Sequence, residues 1–442
     1  MQRYQDLQEG GIDPFQHFIS RGLAELRDPG PLFSLSSYIL SSACAPENAI
    51  INFASSRNEA SYYVGELEGY KASDGKANVL LVGHQAKQAI FGAERSLLDL
   101  AKLLSKLKYN VFVLLPEALN RQYIEQLKEF SSKIIIAPYS WWFEGKQANP
   151  ETIEIFQNVL TENEIDVVHV NTLVLDEPLI AAKSLGIKSL VHIREDLLTD
   201  SALCNAMMCS PAQAIERLIE YDCNILCNSY YCLTQTKMLL PKTFTKSIAV
   251  IYNLIECDNA DNFQSNNLDT LSIGLLSSNI EKKGVGDFMK LACLLEDTEG
   301  LIFKVYGPKT AYLEMAMAQQ QKNLEYCGYT DIPGDAIKSL DVVLSLSHFA
   351  ESFGRTVAEA QCFGKVSIAY NKGAVSELIR NGETGFLTPP GDIEAVSQHL
   401  LALKEKPMLR RLIGKRAKKF ALTTYSEDAL LAKISSFYEN LK

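Results

Sequence analysis

Two glutamates, one lysine and a glycine-containing turn carry the clearest chemical signal in the sequence. Glu351 and Glu359 lie eight positions apart in E-S-F-G-R-T-V-A-E-A, residues 351–360. A short apolar strand at Asp341–Leu346 leads into the turn with Glu351, Ser352, Phe353 and Gly354. A helix is predicted next, with Val357, Ala360 and Phe363 on one face. Such a turn presents free backbone N–H groups at the positive end of a helix dipole, a site suited to phosphate. If both glutamates are helical, about 12 Å separates them, which suits two ends of one long polar ligand better than one shared proton. A carboxylate accepts hydrogen bonds from vicinal hydroxyls, so sugar and ribose are natural targets. Lys283 follows another apolar strand, Leu271–Leu276, and precedes Gly284, where an ammonium would offset phosphate charge.

The elements that must position these residues alternate along the chain. After Gly364 closes the helix, a strand at Val366–Tyr370 leads to a turn at Gly373, a helix from about Val375 and an Asn381-Gly382 turn. Upstream, strands are predicted at Ala77–Val82, Val111–Leu115, Lys133–Ala137, Val167–Val170 and Ser189–Ile193, with helical patterns between them. This alternation predicts parallel sheets with helices on both faces. Ligands in such sheets sit at the carboxyl ends of the strands. His84, Gly92, His169, Asn171, His192, Arg194 and Glu195 all fall there. The single Gly92 in F-G-A-E-R allows a left-handed turn near phosphate, and Glu94 and Arg95 are read as helix-start residues. His348 is expected to support Glu351 from behind. Tyr139, Trp141, Trp142 and Phe143 form either an acceptor- or membrane-facing patch or core.

The 351–360 stretch resembles the E-x7-E signature of retaining glycosyltransferases of family 4, which have the two-domain GT-B fold. G-A-V-S-E-L-I (373–379) is similar to that family's G-G-x-x-E turn, and N-G-E-T-G-F-L (381–387) to its closing strand. The resemblance implies an α/β, GT-B architecture: two Rossmann-like parallel-sheet domains facing a cleft, with a small helical N-terminal extension. It divides the chain into an extension and linker at 1–70, an acceptor-side domain at 76–255, a donor domain at 270–425 and a helix at 426–442 crossing back to the first domain. By resemblance, Glu351, Lys283 and His192 serve the transfer itself. Glu359, Ser352, Phe353, Gly354, Arg355, Thr356, Ser278, Gly92, Asn171, Arg194 and Glu195 would contact the donor. Ser278 stands where the family has an arginine, so one cation to the diphosphate is absent or comes from elsewhere, such as Lys282 or Arg355. The implied substrates are a UDP- or GDP-linked sugar and a saccharide or lipid-linked acceptor, with no cofactor. Rival readings are a sugar-nucleotide 2-epimerase of the same fold and an idle partner subunit.

Composition bounds these readings. A chain of 442 residues is expected to hold two or three domains. A net charge of −10 argues against a general nucleic-acid binder. No run is apolar enough for a membrane span and no signal-peptide pattern opens the chain, so a cytoplasmic protein is expected, with peripheral contact at the inner membrane face allowed. The ten cysteines show no C-x-x-C pair and are read as free thiols. No D-x-D, Walker A or H-E-x-x-H motif occurs, so no metal is expected. A helix is predicted over Phe15–Leu26 within a piece similar to a module that precedes bacterial polysaccharide glycosyltransferases, and residues 45–76 read as a linker. The basic run Lys404–Lys419 reads as a solvated helix face, with anionic lipid the alternative.

Overall fold

The computed structural model describes residues 7, 10–30, 33–35, 38–39, 45–55, 65–86, 90–257, 269–318, 321–330 and 332–441. Two sheets organise them. The first contains β1 (Gly65–Glu68), β2 (Asn78–Val82), β3 (Asn110–Leu115), β4 (Lys133–Ile136), β5 (Val167–Val170), β6 (Lys188–Ile193), β7 (Asn224–Cys227) and β8 (Ile248–Val250). Its spatial order is β1-β4-β3-β2-β5-β6-β7-β8. All neighbours are parallel except β1, which pairs antiparallel with β4. The second sheet contains β9 (Leu271–Leu276), β10 (Leu301–Tyr306), β11 (Leu324–Gly328), β12 (Val342–Ser345), β13 (Val366–Tyr370) and β14 (Phe386–Thr388). It is wholly parallel, in the order β11-β10-β9-β12-β13-β14. Central strands such as β3 and β13 are buried at every residue, because helices cover both faces.

Among the helices that frame the cleft or brace it are α1 (Gly92–Lys106), α2 (Tyr230–Leu239), α3 (Val285–Leu294), α4 (Arg355–Cys362), α5 (Val375–Leu378), α6 (Pro407–Thr424) and α7 (Glu427–Glu439). Leu430, Ile434, Phe437 and Tyr438 of α7 join the first sheet's core with Val79, Leu81 and Leu97. The Tyr438 hydroxyl lies 2.5 Å from His169 Nδ1 under that sheet. The last helix is therefore part of the first domain's core although it follows the second in sequence.

Several sequence expectations are corrected. Gly65–Glu68 is an edge strand of the first sheet, so the expected linker and the 1–70 extension both overrun into that domain. Its sequence, G-E-L-E, has one large apolar residue, so no apolar run marks it as a strand. The helix expected over Phe15–Leu26 is present from Pro14 but ends at Gly22, its α-helical turn at Pro14–His17 continuing as a π-helix at Phe18–Gly22, with Phe15 and Ile19 exposed. A helix at Pro333–Lys338 escaped the sequence reading. Cys257 and Cys362 form a disulfide between the end of the first domain and the last residue of α4. Cysteine usage thus gives no support to a reducing compartment, and a separation of 105 residues offered no signal for the pair.

Candidate active site

The turn before α4 is built by steric exclusion. Gly354 sits at φ +91°, and a Cβ there would lie 2.9 Å from Val375 Cγ2. A side chain at this position would be strained and would displace α5. Phe353 is only 2 % exposed, packed on Tyr252 and Tyr425 with ring centroids 5.8 and 5.9 Å away, so its backbone rather than its ring is available to a ligand. Gly373, at φ +65°, leaves no room for a Cβ, which would meet the Glu351 carbonyl oxygen at 2.6 Å. Ala374 N–H donates to that same oxygen at 2.8 Å. The G-A-V-S-E turn therefore clamps the backbone of Glu351. Because α4 begins at Arg355, Glu351 is not helical and the helical separation expected from its spacing does not apply.

Lys283 ends a 3-10 turn after β9, and Gly284 follows at φ +77°. A Cβ on Gly284 would stand 1.9 Å from the Leu346 carbonyl oxygen, so only glycine lets this loop press against the end of β12. Lys283 Nζ donates to Glu351 Oε1 at 2.6 Å. Glu359 accepts from Arg95 Nη2 of α1 and from Arg355 Nε at 3.3 Å. Arg355 Nη1 in turn donates to Asp99 Oδ2 at 2.8 Å. Two i,i+4 pairs, Arg95 with Asp99 and Arg355 with Glu359, thus meet across the cleft with opposite charges face to face. Burial disfavours the ionised form of Asp99 and raises its pKa, and the Arg355 guanidinium opposes that rise. Thr356 Oγ1 makes a long 3.5 Å contact with the Leu276 carbonyl. Ser278 lies on the same cavity wall, which also carries Arg95, Lys282, Lys283 and Arg355.

On the first-domain side, Arg194 organises the strand ends. Its Nε donates to Asn171 Oδ1 at 2.9 Å and its Nη1 to Asn253 Oδ1. Burial lowers the Arg194 pKa to about 10, so the side chain remains a cation. Glu195 accepts from the Thr172 hydroxyl and from the Arg194 N–H at 2.7 Å, while burial raises its pKa. Gly92 opens α1 without positive φ, and a Cβ there would come no nearer than 4.0 Å, to Arg355 Cδ. The left-handed turn expected there is absent because the helix already starts at this residue.

His192 does not line the cleft. It is 3 % exposed, its Nδ1 lies 3.0 Å from Arg194 Nη2, and its ring packs 5.4 Å from that of His169. Burial, then the Arg194 charge, lowers its pKa well below the ordinary value. His348 Nε2 lies 2.6 Å from Asp287 Oδ2 on α3. Burial opposes ionisation of Asp287, but hydrogen bonds from Tyr370, His348 and Lys290 outweigh it and lower the pKa. The aromatic run divides: Tyr139 and Trp142 are core, while Trp141 is exposed beside His84 in the cleft.

Two cavities meet at Glu351. One of about 1260 Å³ is lined by Arg95, Ser278, Lys283, Thr356 and Glu359. The other, of about 370 Å³, is lined by His84, Trp141, Asn171, Arg194 and Glu195. Gly92, Glu351, Gly354 and Arg355 line both. The first is a cationic space with free amides and carboxylates at its ends, chemistry suited to an anion flanked by hydroxyl groups. The second is an aromatic and amide-lined space suited to a sugar ring. Sequence reasoning missed Arg95, Asp99, Asn228 and Asn253 as cleft residues. It also missed that Glu377 reaches across to accept from Tyr230 N–H at 2.9 Å and the Tyr252 hydroxyl at 3.1 Å. The i,i+4 charge pairs were visible in the sequence, but their partners across the cleft were not.

Known proteins resemble this chain in both sequence and fold. Residues 258–420 match the family model "Glycosyl transferases group 1". The poly(ribitol-phosphate) alpha-N-acetylglucosaminyltransferase of Staphylococcus aureus is 24 % identical over 215 residues, 47 % of this chain and 43 % of that protein. The phosphatidyl-myo-inositol mannosyltransferase of Mycobacterium leprae is 30 % identical over 123 residues, 27 % of this chain and 32 % of that protein. The alignments thus span less than half the length of these relatives. The crystal structure of Anabaena HepE with UDP and glucose superimposes with a TM-score of 0.66 at 18 % identity, covering 83 % of this chain and all of that one. TarM superimposes with a TM-score of 0.67 at 11 % identity over the same shares. The signature turn, the paired parallel sheets and these matches converge: residues 258–420 match the glycosyl transferases group 1 family, and the two sheets have the GT-B fold.

Proposed function

We propose that this protein transfers a hexose from a nucleotide sugar to a saccharide or lipid-linked acceptor with retention, in the assembly of a bacterial surface polysaccharide. The observation that carries the reading is the meeting of two chemically different cavities at Glu351, whose carboxylate is bonded to Lys283. Residues 270–425 hold the donor and residues 76–255 present the acceptor. Glu359 takes the ribose hydroxyls in place of Arg95. Lys283 and the amides around Phe353 and Gly354 take the diphosphate, with Arg355 near them as the cation that Ser278 does not provide. Glu351 contacts the donor sugar. Asn171, Arg194 and Glu195 shape the far wall, and His192 acts only by holding Arg194.

In the reaction, the bond from the sugar C1 to the phosphate oxygen breaks and a bond from C1 to the acceptor oxygen forms on the same face. The acceptor proton passes to the departing phosphate oxygen, so no enzyme nucleophile is required. Lys283 stabilises the charge that grows on the leaving group, where a positioned cation has its largest effect. Uracil is the base we favour, since HepE was crystallised with UDP and with UDP-glucose. A thermal-shift screen over UDP-, GDP-, ADP- and dTDP-sugars tests the donor assignment. A UDP-sugar is expected to raise Tm, and Glu359→Ala to abolish the shift. A shift that survives Glu359→Ala unchanged would contradict the placement.

A further inference from the structure

Helix α6 carries a charge pattern that the transfer reaction does not use. From Lys406 to Thr424 the sequence has seven basic residues and no aspartate or glutamate, in a chain of net charge −10. The fold sorts them. Arg410 and Lys418 turn inward, with Arg410 Nη2 3.8 Å from Asp341 Oδ1. Lys406, Arg411, Lys415, Arg416 and Lys419 are exposed, and none makes an ion pair with a described residue. Met408 and Leu412 lie on the same stripe and are 73 % and 46 % exposed. Positions 408, 411, 412, 415, 416 and 419 recur at helical spacing, so cations and apolar tips share one face.

An ordinary solvated helix is not arranged this way. The first turn of α6 has no acidic residue and the last turn no basic one, so neither end has the charge the helix dipole favours. Arg411 with Lys415, and Lys415 with Lys419, are like-charge i,i+4 pairs, which weaken a helix. The pattern therefore opposes the helix's own stability, which is supplied instead by burial of Ile413, Gly414, Ala417 and Ala421 on the opposite face. Arg380, whose guanidinium stands 4.9 Å from the Phe420 ring centroid, adds another exposed cation near the same helix.

We infer that this face of α6 docks on an anionic lipid bilayer, with Met408 and Leu412 entering the headgroup boundary and the basic side chains meeting lipid phosphates. Exposed apolar tips among cations favour a bilayer over a purely charged polymer. Each basic side chain near such a surface contributes roughly fivefold to partitioning, screened by salt. Docking through α6 does not depend on the proposed transfer reaction.

Co-sedimentation of the full chain with vesicles tests it. The protein is expected to pellet with vesicles of phosphatidylglycerol and phosphatidylcholine, to stay in solution with phosphatidylcholine alone, and to be released by salt. The Lys415→Glu, Arg416→Glu, Lys419→Glu triple variant is expected to lose binding by about a hundredfold or more while keeping its Tm and its nucleotide-induced thermal shift. Met408→Gln with Leu412→Gln is expected to weaken binding several-fold without altering the salt dependence. Binding to anionic vesicles that survives the triple variant would overturn the inference. So would equal retention on heparin and on vesicles with no effect of the Met408 and Leu412 changes, which would assign the face to a soluble polyanion.

Discussion

Glu359 is bonded in this structure to an arginine from the opposite domain. Arg95 Nη2 and Arg355 Nε both reach Glu359 Oε1, so a donor ribose that takes this oxygen competes with Arg95 for one carboxylate. An ion pair with one partner about 31 % exposed is worth on the order of 1 kcal/mol or less. Arg95→Ala is therefore expected to tighten nucleotide binding by roughly two- to fivefold, measured by titration calorimetry; weaker binding would make Arg95 a ligand-holding residue instead. Lys283→Ala is expected to lower kcat by about a hundredfold or more with a small change in nucleotide affinity, because its charge matters most as the diphosphate leaves. At this scale the local spacing of Glu351, Gly354 and Glu359 was legible, and the structure places all three on one cavity wall with Lys283, which lies 68 residues before Glu351. The sequence was uninformative about Arg95, whose partner lies 264 residues away, and misleading about His192, which a strand-end position could not reveal as buried.

Turns and helix starts do the positioning. Gly354 and Gly284 are held where a Cβ would collide with Val375 and with the Leu346 carbonyl. Gly354→Ala is expected to cost about 1–3 kcal/mol of stability and to impair donor binding together, since strain in the turn and loss of the amide geometry share one cause. Chemical denaturation and nucleotide titration of the same variant check it. Glu377, from the G-A-V-S-E turn, caps the start of α2 in the other domain and holds the Tyr252 hydroxyl. Glu377→Gln is expected to lower stability by about 1–2 kcal/mol, because a charge-assisted cap becomes a neutral one. Strand positions were legible because buried parallel strands are near-continuous apolar runs, as in β2, β3 and β4. Polar or irregular pieces were not: β1, G-E-L-E, has one large apolar residue, and the π-helical turn at Phe18–Gly22 departs from the α-helical period.

The whole molecule is two Rossmann-like halves tied by α7, the Cys257–Cys362 disulfide and the charge pairs across the cleft. The two-domain plan was readable from the repeated alternation of strand and helix, whereas the ties between the domains, being long-range, were not. One buried pair in the first domain predicts a pH response. His169 and His192 are buried together, and burial lowers the pKa of each well below 6.5. The folded state therefore keeps both neutral while the unfolded chain takes up protons as pH falls past that value. Stability should decline from near pH 6.5 downward, approaching roughly 1.4 kcal/mol per pH unit per histidine. Scanning calorimetry between about pH 7.5 and 5 is expected to show a falling Tm, with a shallower slope in His192→Asn. The central claim, that the α4 cleft grips a nucleotide sugar end to end, is tested most directly by a crystal structure with a UDP-sugar bound. The expected result places the ribose hydroxyls on Glu359, with Arg95 moved away, and the diphosphate against Lys283 and the Gly354 turn. A bound nucleotide whose ribose does not meet Glu359, or one seated away from α4, would contradict it.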